Sequence, residues 1–404
     1  MSNQLTTLAH SKVEFIDGDR GKHYPNKSQL LDSGYCVFLN TSNVRKGWFD
    51  FSKVEFIDEV KDKQLRKGKV QNNDIILTTR GTVGNVALVT KDMPFQNIRI
   101  NSGMVIIRTA TSTFDPYFLL LFFRSDLFEK QCLLHGSGSA QPQLPISALK
   151  HILLPDLDIK YQGKIVSTIR SLDKKIELNN QINAELEAMA KTLYDYWFVQ
   201  FDFPDADGKP YKSSGGKMVY NKVLKREIPE GWNNGIIQEL IDKVPSSNRV
   251  PAKEFKDTGE YPIIDQSQDF ICGYTDDKST VIKPETAHVI FGDHTRVVKL
   301  VNFNYARGAD GTQVLIAKSD KVPSYLLYQI VSDIDLSNYG YARHYKFLKD
   351  TKCVIPNRLV AQRFQEKVKP FHEKIKDNIF QNQQLENLRD WLLPMLMNGQ
   401  VTVK

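Results

Sequence analysis

Few residues of this chain have the types and spacing that catalysis needs. "PDLDIK" (155–160) puts Asp156, Asp158 and Lys160 together, the residue types of a metal-dependent nuclease. That set must span a strand hairpin, whereas these three crowd one helix entry, where aspartate stabilises the N-terminus. "SGGKM" (214–218) has methionine where a phosphate-binding loop needs a metal-binding hydroxyl, so nucleotide binding does not follow. An Asn-Pro-Pro-aromatic motif and a glycine-rich methyl-donor loop after a strand are both missing from the sequence. Cys36, Cys132, Cys272 and Cys353 lie at least 81 residues apart. They form neither a disulfide framework nor a zinc site, and their usage fits a reducing cytoplasm. His294 and His344 stand without metal-ligand company. No catalytic residue and no metal site is expected in this chain.

Amides are the more informative polar groups. "KKIELNNQINAELE" (174–187) and "EKIKDNIFQNQQLE" (373–386) align without gaps at an offset of 199, and Asn179 and Asn183 recur as Asn378 and Asn382. From Lys160 to about Val199 there is no proline and Gly163 is the only glycine. Ile165, Ile169, Leu172 and Ile176, then Leu186, Leu193 and Trp197, recur at the steps of a helix seam. Val368, Phe371 and Ile375, then Leu385 and Leu392, do the same in the second copy. The asparagines fall on both seams. Either they are solvated, or they meet one another and set the register, since a buried amide penalises every alignment that places it against leucine. We expect the second: two antiparallel helices about an approximate twofold axis, with Asn179 facing Asn382 and Asn183 facing Asn378. Pro370 predicts a kink or a separate first turn.

The repeat extends upstream. "HILLP" (151–155) and "KCVIP" (352–356) read as short strands stopped by proline. "NDIILTTRGTVGNVALV" (73–89) corresponds loosely to "AHVIFGDHTRVVKLV" (287–301), "NSGMVIIR" (101–108) to "DGTQVLIA" (310–317), and "DPYFLLLFFRSD" (115–126) to "VPSYLLYQIVSD" (322–333). The expected fold is α+β: two β-rich globular domains, 1–157 and 201–356, separated by two long antiparallel helices, 158–200 and 357–404, in a pseudo-twofold internal repeat. Residues 201–232, dense in proline, glycine, serine and aspartate, read as a connecting segment inside the second domain's span.

Composition sets the class. The 404 residues are 41% hydrophobic and 25% charged, enough for real cores. No apolar run is long enough to cross a bilayer, and the N-terminus lacks the plan of a signal peptide. The net charge of +7 sits as +4 in 1–157 and +3 in 357–404, with none elsewhere. Such a surplus suits an anionic partner without identifying one.

With "LNNQINAELEAMAKTLYDYWFVQFDFP" after the first domain, "SGGKMVYNKVLKREIPEGW" in the connector and "ILTTRGTVG" in the first domain, the chain resembles the specificity subunit of type I restriction–modification systems. The resemblance covers nearly the whole chain and is most specific over 174–232. It implies that each globular domain is a target-recognition domain reading one half of a split double-stranded DNA site. It further implies that the helices are a ruler between them and a dock for two modification subunits. Motor–nuclease restriction subunits would complete the complex. S-adenosylmethionine, ATP and magnesium would belong to those partners and none to this chain, which would not be catalytic by itself. A helix of roughly 40 residues is about 60 Å long, against about 34 Å for one turn of B-DNA. The competing reading is a two-domain coiled-coil scaffold that reads no sequence.

Residues that read bases must be polar, able to donate, and carried on loops. Arginine suits guanine O6/N7 and glutamine suits adenine N6/N7, each with two bonds. The first domain offers Arg80 and Thr82 in "TTRGTVG", Arg99, and Ser137, Ser139, Gln141 and Gln143 in "GSGSAQPQL" (136–144). The second offers Asp293, His294, Thr295 and Arg296, Arg307, and Tyr341, Arg343 and His344 in "YGYARHYK". Phosphate contact or plain surface charge competes with base reading at every arginine. In "LYDYWFVQF" (193–201), Tyr194, Tyr196, Trp197 and Phe198 make a helix end aromatic nearly all round. With Trp391 they are candidates for partner binding, the alternative being burial against the second domain's first strand.

Overall fold

The computed structural model describes residues 4–402 apart from 111, 136–142, 243–247, 309–310 and 341–342. The chain forms two compact units: residues 1–176 with 383–404, and residues 177–382. Each takes part of both long helices.

In the first unit the strands are β1 (Leu5–Thr7), β2 (Glu14–Asp17), β3 (Cys36–Leu39), β4 (Phe56–Ile57) and β5 (Ile75–Thr78). They continue with β6 (Val86–Leu88), β7 (Ile98–Ile100), β8 (Met104–Arg108) and β9 (Leu153–Pro155). The helices are α1 (Glu59–Gln64), α2 (Pro116–Phe123), α3 (Asp126–His135), α4 (Ile146–Leu149) and the first part of α5 (Ile159–Tyr194). One antiparallel sheet runs β2-β8-β5-β6 and a second runs β4-β3-β7, with β3 and β7 parallel. Strands β1 and β9 pair separately. Strand β5 ("IILT") is buried along its length, as expected of a continuous apolar run covered on both faces. Helix α2 starts with Asp115 accepting from the Tyr117 and Phe118 amides, followed by Pro116 at the position where a missing N–H costs nothing. Its Phe118–Phe123 run is buried against β5, β8 and the α5 residues Ile165 and Ile169.

The second unit repeats this plan. Its strands are β10 (Met218–Asn221), β11 (Arg226–Pro229), β12 (Asn233–Ile236), β13 (Ile241–Asp242), β14 (Tyr261–Ile264) and β15 (Gly273–Thr275). Then come β16 (Val281–Ile282), β17 (His288–Gly292), β18 (Val298–Val301), β19 (Tyr305–Arg307), β20 (Thr312–Ala317) and β21 (Lys352–Ile355). Its helices are α6 (Ser324–Ser332), α7 (His344–Asp350), and the larger part of α8 (Arg358–Met397) with the end of α5. The sheet β13-β20-β17-β18 matches β2-β8-β5-β6, and β15-β14-β19 matches β4-β3-β7 down to its one parallel pair. The pair β12–β21 matches β1–β9. Among the described residues, β16 beside β19 and the connector hairpin β10–β11 have no counterpart in the first unit, and α1 and α3 have none in the second.

Within the second unit the helices run antiparallel, because a rise of four along α5 is a fall of four along α8. Asn179 Nδ2 donates to Asn382 Oδ1 at 2.8 Å, and Asn378 Nδ2 donates to Asn183 Oδ1 at 2.8 Å. Asn179 also donates to Gln381 Oε1, and Asn382 to Asn180 Oδ1. Asn179, Asn378 and Asn382 are buried. An amide pair that must find itself in an apolar seam fixes register where leucines alone would slide.

Pro370 neither separates a first turn nor interrupts α8, which is helical from Arg358 through Met397. The proline and Glu366, whose carbonyl loses its donor, both lie on the exposed side, where water replaces the lost bond. Among the described residues no helix is long and apolar enough to cross a membrane.

Candidate nucleic-acid interface

In each unit three polar segments converge at one edge. The first is the hairpin tip after β5 or β17, the second the loop after β3 or β14, and the third the strand-like return just before α4 or α7. In the first unit the Thr79 and Arg80 amides donate to Gly103 O, and the Leu144 amide donates to Thr79 O at 3.0 Å. In the second the Asp293 amide donates to Gly311 O, and the His344 amide donates to Asp293 O at 2.9 Å. Thr79 therefore matches Asp293 and Leu144 matches His344. The next residues out match too: Arg80 with His294, and Gln143 with Arg343.

The loop after the central strand supports the tip in both units. Thr82 Oγ1 donates to Thr41 O at 3.5 Å, and Asn85 Nδ2 donates to Val44 O at 2.9 Å. Thr295 Oγ1 donates to Gln266 O at 2.7 Å, and the His294 amide donates to Gln266 Oε1 at 3.1 Å. Gly103 keeps the first site tight: a Cβ there would lie 2.8 Å from the Thr41 methyl. Gly84 (φ 94°) and Arg296 (φ 63°) are equivalent, since each donates its amide back to the last residue of the preceding strand. A left-handed arginine costs about 1 kcal/mol that glycine does not.

The sequence candidates divide. Arg80 is exposed and Gln143 half-buried; their backbones bridge antiparallel, and both line a cavity of about 200 Å³. Thr82, Thr295, Arg296 and Arg343 are exposed on the same edges. Ser137, Ser139, Gln141 and Tyr341 lie outside the described residues. Three expectations need correction. Arg99 is 6% exposed, its Nε donates to Asp62 Oδ1 at 2.6 Å, and Nη1 and Nη2 donate to the Lys67 and Asp62 carbonyls. Burial alone would raise the Asp62 pKa, but bonds from Lys69 and Arg99 hold it below the usual carboxylate range. This is an internal ion pair and not a surface reader. Arg307 is half-buried with its Nε on the Thr312 carbonyl at 3.0 Å. His344 is buried, and its Nδ1–H reaches the Asp293 carbonyl at 3.0 Å; it holds the return segment in place.

The aromatic belt is likewise corrected. Tyr194, Trp197 and Phe198 belong to the core of the second unit, with Phe198 5.1 Å from Phe364 and 5.8 Å from Trp232. One partner helix could not cover a helix aromatic all round; Trp232, just before β12, and Phe201 close the remaining side. A π-helical turn over Asp195–Val199 ends the helix. Tyr196 (38%) and Trp391 (58%) stay exposed.

Sequence reasoning missed Arg20, which donates to Asp17 and to Ser102 O at the mouth of the first cavity. It also missed the supporting loops. A signal existed for these: "VFLNTSN" (37–43) and "PIIDQSQ" (262–268) each run from an apolar strand into four polar residues. Asp158 caps α5, accepting from the Lys160 and Tyr161 amides at 3.0 Å. Burial pushes all four cysteine thiols up to about 12, so none is a ready nucleophile.

Residues 14–188 match the family described as "Type I restriction modification DNA specificity domain". The chain is 27% identical over 359 residues to the specificity subunit of the type I restriction enzyme MjaIX of Methanocaldococcus jannaschii, covering 82% of this chain and 78% of the relative. It is 24% identical over 462 residues to the HindI specificity subunit of Haemophilus influenzae, covering 96% and 99%. A crystal structure of a type I restriction–modification S subunit from M. genitalium shares the fold at a TM-score of 0.52 and 14% identity, over 98% of this chain and 96% of that one.

Proposed function

We propose that this chain, which belongs to the family of type I restriction–modification specificity subunits, reads a split double-stranded DNA site with its two units. In this reading it presents that site to two modification subunits and to motor–nuclease subunits. One observation carries the reading: the same three-segment edge is built twice, with matching bonds at Thr79 and Asp293, at Leu144 and His344, and from Thr82 and Thr295 to the supporting loop, and with different outward side chains. A duplicated scaffold with divergent tips is what two different half-sites require, because phosphate contacts alone position a protein and carry no sequence information.

The chemistry belongs to the partners, which would hold S-adenosylmethionine, ATP and magnesium; this chain's part is selection. Its setting would be the cytoplasm. Partner docking falls to residues still exposed, Tyr196 and Trp391, and not to the buried aromatic core. The helices would set the unread spacer, so adding one turn to both should lengthen the spacer and leave the half-sites unchanged.

The decisive experiment replaces residues 1–157 with those of a relative and maps methylated adenines across the host genome. One half of the methylated motif should change and the other persist. An unchanged motif would leave the chain as an assembly scaffold. Binding of the purified chain to DNA does not discriminate, because any basic surface binds DNA nonspecifically.

A further inference from the structure

We propose that Arg80 and Gln143 act as a single reading pair for two adjacent base pairs, a guanine and an adenine, with Arg20 as their phosphate anchor. In the second unit His294 and Arg343 occupy the matching positions. This inference rests on the DNA-reading function and assigns its determinants.

The geometry begins with the backbone. Arg80 and Gln143 are opposed across an antiparallel bridge, although 63 residues separate them in the chain. Opposed residues place their Cβ atoms about 5 Å apart and project to the same side. Stacked base pairs are about 3.4 Å apart, so two such side chains reach neighbouring steps of one groove. Neither side chain has a hydrogen-bond partner among the described residues, whereas most polar side chains around them are committed: Asp17 to Arg20, and Thr79 Oγ1 to Gly103 O. A planar five-donor fork and a donor–acceptor amide, both unspent and side by side, fit guanine O6/N7 and adenine N6/N7 respectively.

Arg20 differs from Arg80 at the same cavity mouth. Its side chain is 48% exposed and already held by Asp17 at 3.2 Å and by Ser102 O at 3.3 Å. A guanidinium fixed by two acceptors has lost the freedom to fork onto a base edge but keeps a positive charge for a phosphate. The cavity floor of Val105, Leu144 and Ile146 is apolar and offers no competing donor. In the second unit the matching positions exchange chemistry. The tip residue is a histidine and the return residue an arginine, so that half-site is expected to place its guanine contact at Arg343.

The test uses the full chain co-expressed with its modification subunits in a host without other adenine methylation, read as a methylated-adenine map. Arg80→Ala should relax one guanine in one half of the motif, and Gln143→Ala the neighbouring adenine, each lowering discrimination roughly 5- to 150-fold. Arg20→Ala should leave the motif intact, weaken binding to all sequences alike, and reduce the salt slope of binding by about one counterion. His294→Ala with Arg343→Ala should alter only the other half. Thermal unfolding of the Arg80, Arg20, His294 and Arg343 variants should match the parent, because these four residues are exposed. Relaxation at non-adjacent positions, at bases other than guanine and adenine, or a uniform loss of methylation with the motif preserved overturns the pair. A parent chain that yields no split motif overturns the DNA-reading function itself, a distinguishable result.

Discussion

Asp74 and Arg108 face one another at the ends of β5 and β8, joined by two bonds of 2.8 Å; at the matched, likewise opposed positions of β17 and β20 stand His288 and Ile316. The contrast recurs. Arg99 on β7, paired with Asp62, corresponds to Ala306 on β19. Asp173 accepts from Tyr117 Oη at 2.6 Å and from Arg389 at 3.0 Å. Its counterpart 199 residues on is His372, stacked on Tyr325 at 4.9 Å with Tyr328 edge-on. One fold is thus held in the first unit by buried charge pairs and in the second by small or neutral groups. The shared strand order and register specify the architecture, and the polar filling of three internal slots is negotiable. A buried ion pair recovers roughly what its desolvation costs, so apolar groups that fit can take its place, provided both partners go together.

That condition gives the sharpest test. Arg108→Ala alone leaves Asp74, which is 1% exposed, as an unpaired buried charge and should destabilise the first unit by about 4 kcal/mol. Adding Asp74→Ala removes the second charge, as in the second unit where His288 and Ile316 carry none, and should recover at least half of that loss. Denaturant unfolding with hydrogen exchange resolved by unit would decide; a double variant worse than the single one breaks the comparison. Arg99→Ala should act as Arg108→Ala does, unfolding the first unit and not merely weakening DNA binding.

Acid separates the units next. Burial lowers the pKa of His288 and His372, both in the second unit, to about 4. Because the unfolded chain takes up those protons near pH 6.5, their stabilising contribution is complete above that pH and is lost as pH falls towards 4. The loss is on the order of 3 kcal/mol for each. Asp62, with its lowered pKa, contributes above the unfolded carboxylate value near 3.9 and is lost only below it. The second unit should therefore loosen first between pH 6.5 and 4, and His372→Phe, which keeps the stack on Tyr325, should remove about half of the difference. Equal hydrogen exchange in both units at pH 4.5 would count against this account.

Two smaller effects follow. Asn378→Ala removes the bond to Asn183 and should cost about 1 to 2 kcal/mol in the second unit, measured by thermal unfolding. Arg296→Gly relieves a left-handed arginine and should raise stability by about 1 kcal/mol while weakening DNA binding. A fall in both would mean that the side chain supports the tip structurally.

Much of this protein was legible before any coordinates. Seam spacing gave the two long helices, the repeated asparagines gave their facing positions, and matched apolar runs gave strands β5, β8, β17 and β20. These are local or periodic signals, in which side-chain order along the chain repeats the geometry of the element. Arg99 shows where such reading fails. In "NIRINSG" nothing distinguishes an arginine aimed at solvent from one aimed at Asp62, because the partner lies 37 residues away on another element. Trp197 and Phe198 misled for the same reason: a helix that looks over-supplied with aromatics is covered by Trp232 and Phe364, distant in sequence. The sequence alone determined the elements, their duplication and the register of the amides. Tertiary structure decided which polar residues are consumed inside and which are left at the edge, because burial and partner choice depend on contacts between segments that no local pattern encodes.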